Sequence, residues 1–224
     1  MRHNLQLSGI GFAVLLCSFF ITSCSKQDSA LDNGLVNPDV VAGEGDTCEF
    51  KTFTQGGWGS KPHGNNPGSY QFKNFAAAFP NGLVAGCSTY ELTLTSAQAV
   101  CDFLPCGGSA AALTASYTNP TTLKNVLAGQ LVALTLSVGF DKWDPAFAAS
   151  PFHLGNLTVV SGPFQGMTVN AVLAEANNAL GGCQSNFSIS DLNSILSAIN
   201  ENFDNGNTNN NVLNCGGWEG KFPK

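Results

Sequence analysis

The sequence predicts a mainly helical α+β domain whose helical core is tied by disulfide bonds. Two segments in the second half of the chain repeat one helical spacing of apolar residues. Short alternating segments in the first half favour a small β element beside that core. The chain begins with a segment typical of an export signal and contains several cysteines, and cysteines of exported proteins commonly form disulfide bonds.

The helical core is predicted from three segments in the second half of the chain. Residues 123–138 place apolar side chains along one helical face, and no charged residue occurs between Lys124 and Asp141, so this helix is expected to be largely buried. Residues 169–180 and 192–203 each place apolar side chains at positions i, i+3, i+4, i+7 and i+11. The short connection between these two segments predicts an antiparallel helix hairpin that packs on the 123–138 helix.

Local end signals accompany the predicted helices. Gly181 is expected to end the first helix of the hairpin, and Ser188 or Ser190 to cap the second. Recurring phenylalanines predict a short helix over residues 72–79. A capping-box pattern predicts another over residues 95–104, and a proline follows each of these two helices.

The β element is predicted from short segments bounded by turn residues. Tyr90, Leu92 and Leu94 alternate with polar residues, as a half-buried strand requires. The expected strands are residues 50–54, 83–85, 90–94 and 157–160. Residues 55–69 are rich in glycine, proline and asparagine, which predicts a structured loop or a set of turns, and the Asn-rich residues 204–214 are expected to be irregular.

The N-terminal segment is typical of a bacterial lipoprotein signal. A basic start is followed by an apolar stretch over residues 10–21 and by Thr22-Ser23-Cys24. The stretch is shorter than the roughly 20 residues that a transmembrane helix needs. We therefore predict cleavage before Cys24 and lipid attachment at its thiol, with an uncleaved anchor helix as the alternative.

The predicted organisation is a signal peptide over residues 1–23, a flexible tether over residues 24–46 and one globular extracellular domain over residues 47–224. Ser25, directly after the lipidation site, fits sorting to the outer membrane, and Lys26 resembles export signals that lead to the outer surface. The predicted location is therefore the outer membrane, with the domain anchored by lipid and exposed at the surface.

Six cysteines follow the lipidation site and allow up to three disulfide bonds in 15 different pairings. They are Cys48, Cys87, Cys101, Cys106, Cys183 and Cys215. Chain proximity favours the pairs Cys101–Cys106, Cys48–Cys87 and Cys183–Cys215. A metal site is the alternative interpretation, but the chain has no Cys-x-x-Cys, and His63 and His153 lack ligand spacing to any cysteine. No metal and no cofactor is expected.

Charge and composition narrow the classes of partner. The formal net charge is −6, and no basic run occurs anywhere, which disfavours nucleic acid as a partner. Charged residues make up only 11% of the chain, so its polarity comes mainly from Asn, Ser, Thr, Gln and Gly. This composition predicts an uncharged surface that forms hydrogen bonds.

Trp58 and His63 are the candidate ligand-binding residues. Both lie in the glycine-rich loop, where an aromatic face beside an imidazole would form a binding edge for a sugar. The alternative is a tryptophan that fills the core and a solvated histidine. We predict that Trp58 packs inward and holds residues 55–69 against the 123–138 helix.

Carboxylates give a second candidate chemistry. Asp141 and Asp144 flank Trp143, and paired carboxylates serve as acid and base in glycoside hydrolysis. Because an aspartate before a proline is a routine helix cap, we predict capping instead. Glu175 is the only ionised residue of its helix and is expected to mark the solvent face.

The Asn-rich tail offers oxygen ligands of the kind that calcium prefers. The candidate ligands are Asn202, Asp204, Asn207 and Asn209. Their spacing lacks alternating carboxylates and a late glutamate, so no calcium loop is predicted. The chain also lacks a serine elbow, a zinc-helix motif and a phosphate loop, and no catalytic residue is assigned.

One segment resembles a known group of proteins. Residues 53–59 read Phe-Thr-Gln-Gly-Gly-Trp-Gly, which resembles the start of a family of exported bacterial domains that open with Thr-Gln-Gly-Tyr-Trp-Lys-Asn-His-Pro. Residues 127–138 resemble that family's long apolar helix, and residues 200–206 resemble its closing Asn-Asn-Gly segment. The resemblance covers about residues 48–215 and implies a mainly helical extracellular module without an assigned enzymatic activity. Gly57 replaces the family's tyrosine, and the Lys-Asn-His-Pro segment is also replaced.

The expected function is that of a lipid-anchored surface protein that binds or supports something outside the cell without catalysis. Its expected partners are the membrane, through the lipid at Cys24, and a glycan or another surface protein. The alternative is a secreted hydrolase acting on polysaccharide. A hydrolase requires two carboxylates in one cleft, whereas a binding module presents an exposed aromatic face.

Overall fold

A computed structural model describes residues 48–215 and confirms a mainly helical α+β fold with a small β element. The predicted signal peptide, the lipidation site Cys24 and the tether lie outside the described residues. None of the helices in residues 48–215 combines the length and the hydropathy that crossing a membrane requires.

Helix α4 (Val126–Trp143) forms the centre of the core and starts at an asparagine cap. The Asn125 side chain accepts a hydrogen bond from the backbone N–H of Ala128 at 3.2 Å. Two further helices, α5 (Val169–Gly181) and α6 (Ile189–Asn202), pack against α4 and against each other. The predicted helix hairpin on the long apolar helix is therefore confirmed.

The ends of α5 and α6 follow the local signals closely. The Thr168 hydroxyl caps α5 by accepting from Ala171 N at 3.1 Å, and the Ser188 hydroxyl caps α6 by accepting from Asp191 N at 3.0 Å. Helix α5 continues through Gly181, and Gly182 takes the left-handed conformation, with φ 79°, that ends it. The predicted stop is thus one residue early.

In the described part of the chain, three helices precede the core, namely α1 (Gln55–Trp58), α2 (Pro67–Ala78) and α3 (Ala97–Phe103). Two of them correct the prediction of a loop over residues 55–69. The Thr54 hydroxyl caps α1, and the Asn66 side chain caps α2. Helix α2 begins at Pro67, which is five residues before its predicted start. The proline after Asn66 suits a first helical position because that position needs no N–H donor.

Within residues 48–215, five short strands form two sheets. Strand β1 (Leu83–Gly86) pairs antiparallel with β2 (Glu91–Leu94), and β3 (Tyr117–Thr118) joins β2 in parallel. Strand β4 (Thr158–Val159) pairs antiparallel with β5 (Leu213–Asn214).

Two expectations about strands are corrected. Residues 50–54 do not form a strand, because only Thr52 makes a β-bridge there, in parallel with Asp204. Residues 204–214 are not irregular throughout, because their last two residues form β5. In both cases the pairing partner lies more than 50 residues away along the chain. The pattern of polar and apolar residues within one segment therefore does not identify its partner.

Two disulfide bonds tie the described domain, and they join Cys48 to Cys215 and Cys87 to Cys183. All three predicted pairs are therefore wrong. The packing of α5 against β1 brings Cys183, just past the end of α5, to Cys87, just past the end of β1. Chain proximity is a poor guide here because the bonded residues lie 96 and 167 positions apart.

Cys101 and Cys106 carry free thiols, although proximity along the chain predicts a bond between them. Their sulfur atoms have different partners. The Cys101 thiol lies 3.6 Å from the Gly59 carbonyl oxygen, and the Cys106 thiol lies 3.3 Å from that of Leu123. The two sulfurs are thus held by different parts of the fold.

Candidate functional site: the loop after Trp58 and its flanking clefts

Trp58 anchors the glycine-rich loop in the core. Its side chain is fully buried, and its indole Nε1 donates a hydrogen bond to the Ser137 hydroxyl of α4 at 3.1 Å. Its ring lies 4.9 Å from that of Phe53 and 5.3 Å from that of Phe140, measured between centroids. The prediction that Trp58 packs inward against this helix is confirmed, so its ring offers no surface to a ligand.

The loop leaves Trp58 through Gly59, which lies directly against the Leu104 backbone. A Cβ at this position would overlap the Leu104 carbonyl oxygen, so only glycine allows this approach. The next residue, Ser60, donates from its hydroxyl to the Gly57 carbonyl oxygen at 2.7 Å. The start of the loop is therefore fixed to α1 and to the end of α3.

Asn66 fixes the other end of the loop. Its amide Nδ2 donates to the Lys61 carbonyl oxygen at 2.8 Å, and its Oδ1 accepts from the backbone N–H groups of Ser69 at 2.8 Å and His63 at 3.2 Å. His63 itself is exposed. The structure thus separates the two predicted binding residues, with Trp58 in the core and His63 on the outside of the loop.

A cleft of about 560 Å³ lies between this loop and helices α2 and α3, and we call it the loop–helix cleft. Phe72 of α2 lines it with 38% of its surface exposed. On the α3 side, Gln98 donates from Nε2 to Asp102 Oδ1 at 2.8 Å. The complete lining comprises Gly59, Lys61, Pro62, Phe72, Gln98, Cys101, Asp102 and Leu104.

Sequence reasoning missed the exposed phenylalanine of this cleft. The spacing of Phe72 and Phe75 predicts a helix but does not identify which of the two rings is exposed. In the structure Phe75 is 2% exposed, whereas Phe72 remains open to the cleft. Phe72 lines this cleft together with Lys61 and Pro62 of the loop, so its exposure depends on a segment outside its own helix.

The thiol in the cleft is not activated. Burial raises the pKa of Cys101 above its ordinary value, the charge of Asp102 raises it further, and Lys61 only partly opposes them. The thiol is therefore protonated near neutral pH, whereas a nucleophile or metal ligand would need the thiolate.

Carboxylates are scarce in the clefts of the described domain. The loop–helix cleft holds one, Asp102. In a cleft of about 430 Å³ the single carboxylate is that of Glu49, and in one of about 250 Å³ it is that of Asp191. A cleft of about 220 Å³ is lined by no carboxylate. None of these four clefts therefore has the pair of carboxylates that glycoside hydrolysis requires.

The two aspartates that flank Trp143 both serve the local structure. Asp141 is buried and accepts from Leu154 N at 2.8 Å, with His153 Nδ1 at 3.3 Å from the same carboxylate. The predicted helix cap at Asp144 is wrong, because only the backbone N–H of this residue ends α4 and no helix begins at Pro145; the Asp144 Oδ1 instead accepts from Ala146 N at 2.9 Å in a turn. Its Oδ2 accepts from the Tyr70 hydroxyl at 2.7 Å, and burial together with this bond raises the pKa of Tyr70 well above its ordinary range.

Glu175 does more than mark the solvent face of α5. Its carboxylate accepts from the Ser185 hydroxyl at 2.6 Å, from Asn186 N at 2.9 Å and from Asn186 Nδ2 at 3.0 Å. These hydrogen bonds lower the pKa of Glu175, and the hydrogen bond from Ser185 lowers it most. The residue therefore holds the connection between α5 and α6, which its position on the helix does not reveal.

The Asn-rich segment uses its polar groups on its own backbone. Asn202 is fully buried, and its Oδ1 accepts from Val212 N at 2.8 Å. Its carbonyl oxygen accepts from Asn210 N at 3.2 Å. Within residues 48–215, no three His, Cys, Asp or Glu residues lie together as a metal site requires.

No protein-family model, no curated protein and no solved structure matches this chain. The resemblance to the Thr-Gln-Gly-x-Trp domains therefore stays a prediction.

Proposed function

We propose that this protein is a lipid-anchored surface module that binds a neutral saccharide in the loop–helix cleft and does not cleave it. The observation that carries the proposal is the exposed ring of Phe72 beside the hydrogen-bonded pair of Gln98 and Asp102. An aromatic face packs on the apolar face of a sugar ring, and amide and carboxylate oxygens accept from its hydroxyl groups.

The size and lining of the cleft support a small ligand. Its volume of about 560 Å³ falls within the range of typical ligand sites. Pro62 adds apolar surface at the loop side, and Lys61 adds donors to those of Gln98. A mixture of one aromatic ring and several neutral or singly charged polar groups suits an uncharged sugar with many hydroxyls.

The same lining favours binding over hydrolysis. Glycosidases place two carboxyl groups on opposite sides of the scissile bond, about 5 to 9.5 Å apart. Asp102 is the only carboxylate of the loop–helix cleft, and it already accepts a hydrogen bond from Gln98. The alternative of a secreted polysaccharide hydrolase therefore lacks a site in this cleft.

The surface location is proposed from the N-terminal sequence. The signal that ends in Thr22-Ser23-Cys24 would leave the lipid on Cys24, and residues 24–46 would link it to the domain. This anchor makes the membrane the first partner. A glycan of the same or a neighbouring cell surface, or a glycosylated surface protein, would be the second.

The test is a glycan-array screen of the purified full-length protein, followed by titration calorimetry with the best neutral glycan. We expect Phe72→Ala to weaken binding at least tenfold because it removes the stacking face. Trp143→Ala is the matched control, since Trp143 is 42% exposed and does not line the cleft. We expect this control to bind as the unchanged protein does.

Three results would contradict the proposal. If no neutral glycan binds while the protein melts normally, a structural role replaces the binding role. If Trp143→Ala loses binding and Phe72→Ala keeps it, the binding face lies at the end of α4. Release of reducing sugar from a bound polysaccharide would favour the hydrolase.

A further inference from the structure

A second, smaller cleft lies on the other side of the loop and contains a single charged side chain. Its volume is about 220 Å³, and we call it the Lys51 cleft. Its lining comprises Lys51, Phe53, Asn65, Pro67, Tyr70, Ala146, Phe147 and Asn205. Lys51 is the only ionised residue among them, so the cleft carries one positive charge in a protein with a net charge of −6.

The Lys51 side chain has no carboxylate partner in the described domain. Its ammonium lies 5.7 Å from the centroid of the Phe147 ring. Within residues 48–215, no carboxylate oxygen lies within 4.0 Å of this ammonium. A cation held over an aromatic ring keeps its charge exposed to a ligand, because the ring faces only one side of the ammonium.

The backbone around this cleft is firmly held. Buried Thr52 bridges to the segment after α6: its N–H donates to the Phe203 carbonyl oxygen at 3.0 Å, and its carbonyl oxygen accepts from Asn205 N at 2.9 Å. Asn205 has a φ of 54°, and this turn brings it to the rim of the cleft. Asn65, from the loop after Trp58, lines the same cleft, so Lys51 and two asparagines share one cleft.

Three aromatic residues, Phe53, Tyr70 and Phe147, form part of the cleft wall, and no carboxylate lines the cleft. The Tyr70 ring packs 5.4 Å from that of Phe147, centroid to centroid, and its hydroxyl donates to Asp144. Asp144 also accepts from Ala146 N at 2.9 Å and does not line the cleft. The Tyr70 hydroxyl is thus committed to Asp144, and the ring serves as apolar wall.

We propose that the Lys51 cleft binds the carboxylate-bearing ring of an acidic sugar, namely a uronate residue. The ammonium of Lys51 would pair with the carboxylate, the amides of Asn65 and Asn205 would bond to hydroxyls, and the ring of Tyr70 would pack on the apolar face. One positive charge matches a monoanion, whereas a phosphate or sulfate cluster would need more cations than this cleft has.

The neighbouring space allows the saccharide to continue beyond one ring. The cleft of about 430 Å³ shares Lys51, Ala146 and Phe147 with the Lys51 cleft. Glu49 lies in this second cleft and would repel another carboxylate. The structure therefore favours a chain in which a uronate alternates with a neutral sugar over a continuous run of acids.

The test compares an acidic disaccharide with its own methyl ester, which removes the charge and keeps the shape. The probe is an aldobiouronic acid, a glucuronate linked to a neutral hexose, titrated into the full-length protein by calorimetry. We expect the acid to bind at least tenfold more tightly than the ester. Added salt should weaken binding of the acid and leave that of the ester unchanged.

Three variants locate the site. Lys51→Met keeps the apolar stem and removes the charge, so we expect at least a tenfold loss in affinity for the acid. Lys51→Arg keeps the charge and should stay within about threefold of the unchanged protein. Lys73→Met, at an exposed lysine of α2, is the matched control and should have no effect.

The inference fails if acid and ester bind equally, if Lys51→Met binds the acid normally, or if the acid does not bind at all. It also fails if Phe72→Ala, and not Lys51→Met, abolishes binding of the acid, because the sugar would then occupy the loop–helix cleft. Failure of the uronate proposal would not contradict the proposal that neutral glycans bind beside Phe72 in the loop–helix cleft. The two proposals are therefore tested separately.

Discussion

Trp58 joins three parts of the chain at one side chain. Its ring contacts the aromatic rings of Phe53, Phe140 and Phe147, and its indole N–H is satisfied by Ser137. A buried indole without a partner for its N–H would be costly, so the buried Ser137 of α4 has a clear role. The loop beside both proposed binding clefts depends on this anchor.

Trp58→Ala should lower the free energy of unfolding by about 3–5 kcal/mol, because it leaves a large cavity in the core. Trp58→Phe should cost less, since it keeps most of the apolar contact but leaves the Ser137 hydroxyl without its donor. Urea unfolding followed by circular dichroism measures both changes. Trp143→Ala, at an exposed tryptophan, should change stability by less than about 1 kcal/mol, and an equal loss there would contradict the role of Trp58.

Gly129 of α4 makes room for a buried polar contact. The Gln55 side chain accepts from Cys106 N at 2.9 Å, and a Cβ on Gly129 would overlap the Gln55 amide. Alanine is better than glycine in a helix by about 1 kcal/mol, but forced overpacking costs about 1–3 kcal/mol. We therefore expect Gly129→Ala to destabilise the protein, although the same change stabilises most helices.

Gly56→Ala is the control for that prediction. Gly56 also lies in a helix, α1, but a Cβ there would meet only the Thr54 hydroxyl oxygen, at 3.9 Å. We expect its thermal melting temperature to stay the same or rise. If both variants melt at higher temperature, helix propensity dominates and the contact between Gln55 and Gly129 is not restrictive.

Among the elements, the connection between α5 and α6 depends on ionised Glu175. Because the pKa of this carboxyl is lowered in the fold, its stabilisation is present above the ordinary value of 4.5. It is lost as the pH falls through the lower pKa of the folded state. The group is close to solvent, so its contribution is modest.

Glu175→Gln should cost about 1 kcal/mol near pH 6 and less near pH 3, where the carboxylate of the unchanged protein is also neutralised. The free energy of unfolding is measured by urea titration at both pH values. Glu91→Gln, at an exposed residue of β2, is the control and should change the free energy of unfolding by less than about 0.5 kcal/mol near pH 6. A constant difference between Glu175→Gln and the unchanged protein at both pH values would show that the hydrogen bonds do not depend on charge.

At the scale of the molecule, two disulfide bonds close long segments of chain. Peptide mapping without reduction should find Cys48 linked to Cys215 and Cys87 linked to Cys183. Replacing both cysteines of either pair should cost about 2–5 kcal/mol, because each bond restricts the unfolded chain over a long segment.

The reactivity of the two free thiols, Cys101 and Cys106, tests the same pattern of disulfide bonds independently. Cys101 is partly exposed and Cys106 is buried, so alkylation of the native protein should modify Cys101 first and Cys106 only after unfolding. A recovered peptide with Cys101 bonded to Cys106 would contradict the structure at this point.

The anchor is also a property of the whole molecule. Cys24→Ala should move the protein from the membrane fraction to the soluble or unprocessed pool, because one lipidated cysteine supplies the attachment. Fractionation followed by immunoblotting measures the change. Cys17→Ala, within the apolar stretch that is expected to be removed, is the control, and normal membrane retention of Cys24→Ala would contradict lipidation.

The sequence by itself determines the helices that depend on local periodicity. The spacing of apolar residues predicts α5 and α6, a serine at 188 or 190 is predicted to start α6, and the lack of charge before Asp141 predicts a buried α4. These features follow from side chains that lie within one or two helical turns of each other. The inward position of Trp58 also follows, because flanking glycines allow the backbone to fold closely around a ring.

The tertiary structure alone decides the cysteine pairs and both proposed binding clefts. Each pair of bonded cysteines is distant in sequence, and Thr52 meets Asp204 only because α6 returns the chain to the start of the domain. Phe72 stays exposed and Lys51 lies over Phe147 for the same reason, since other segments shape the space around them. Local patterns report which residues share a face, whereas the meeting of distant segments depends on the packing of the whole core.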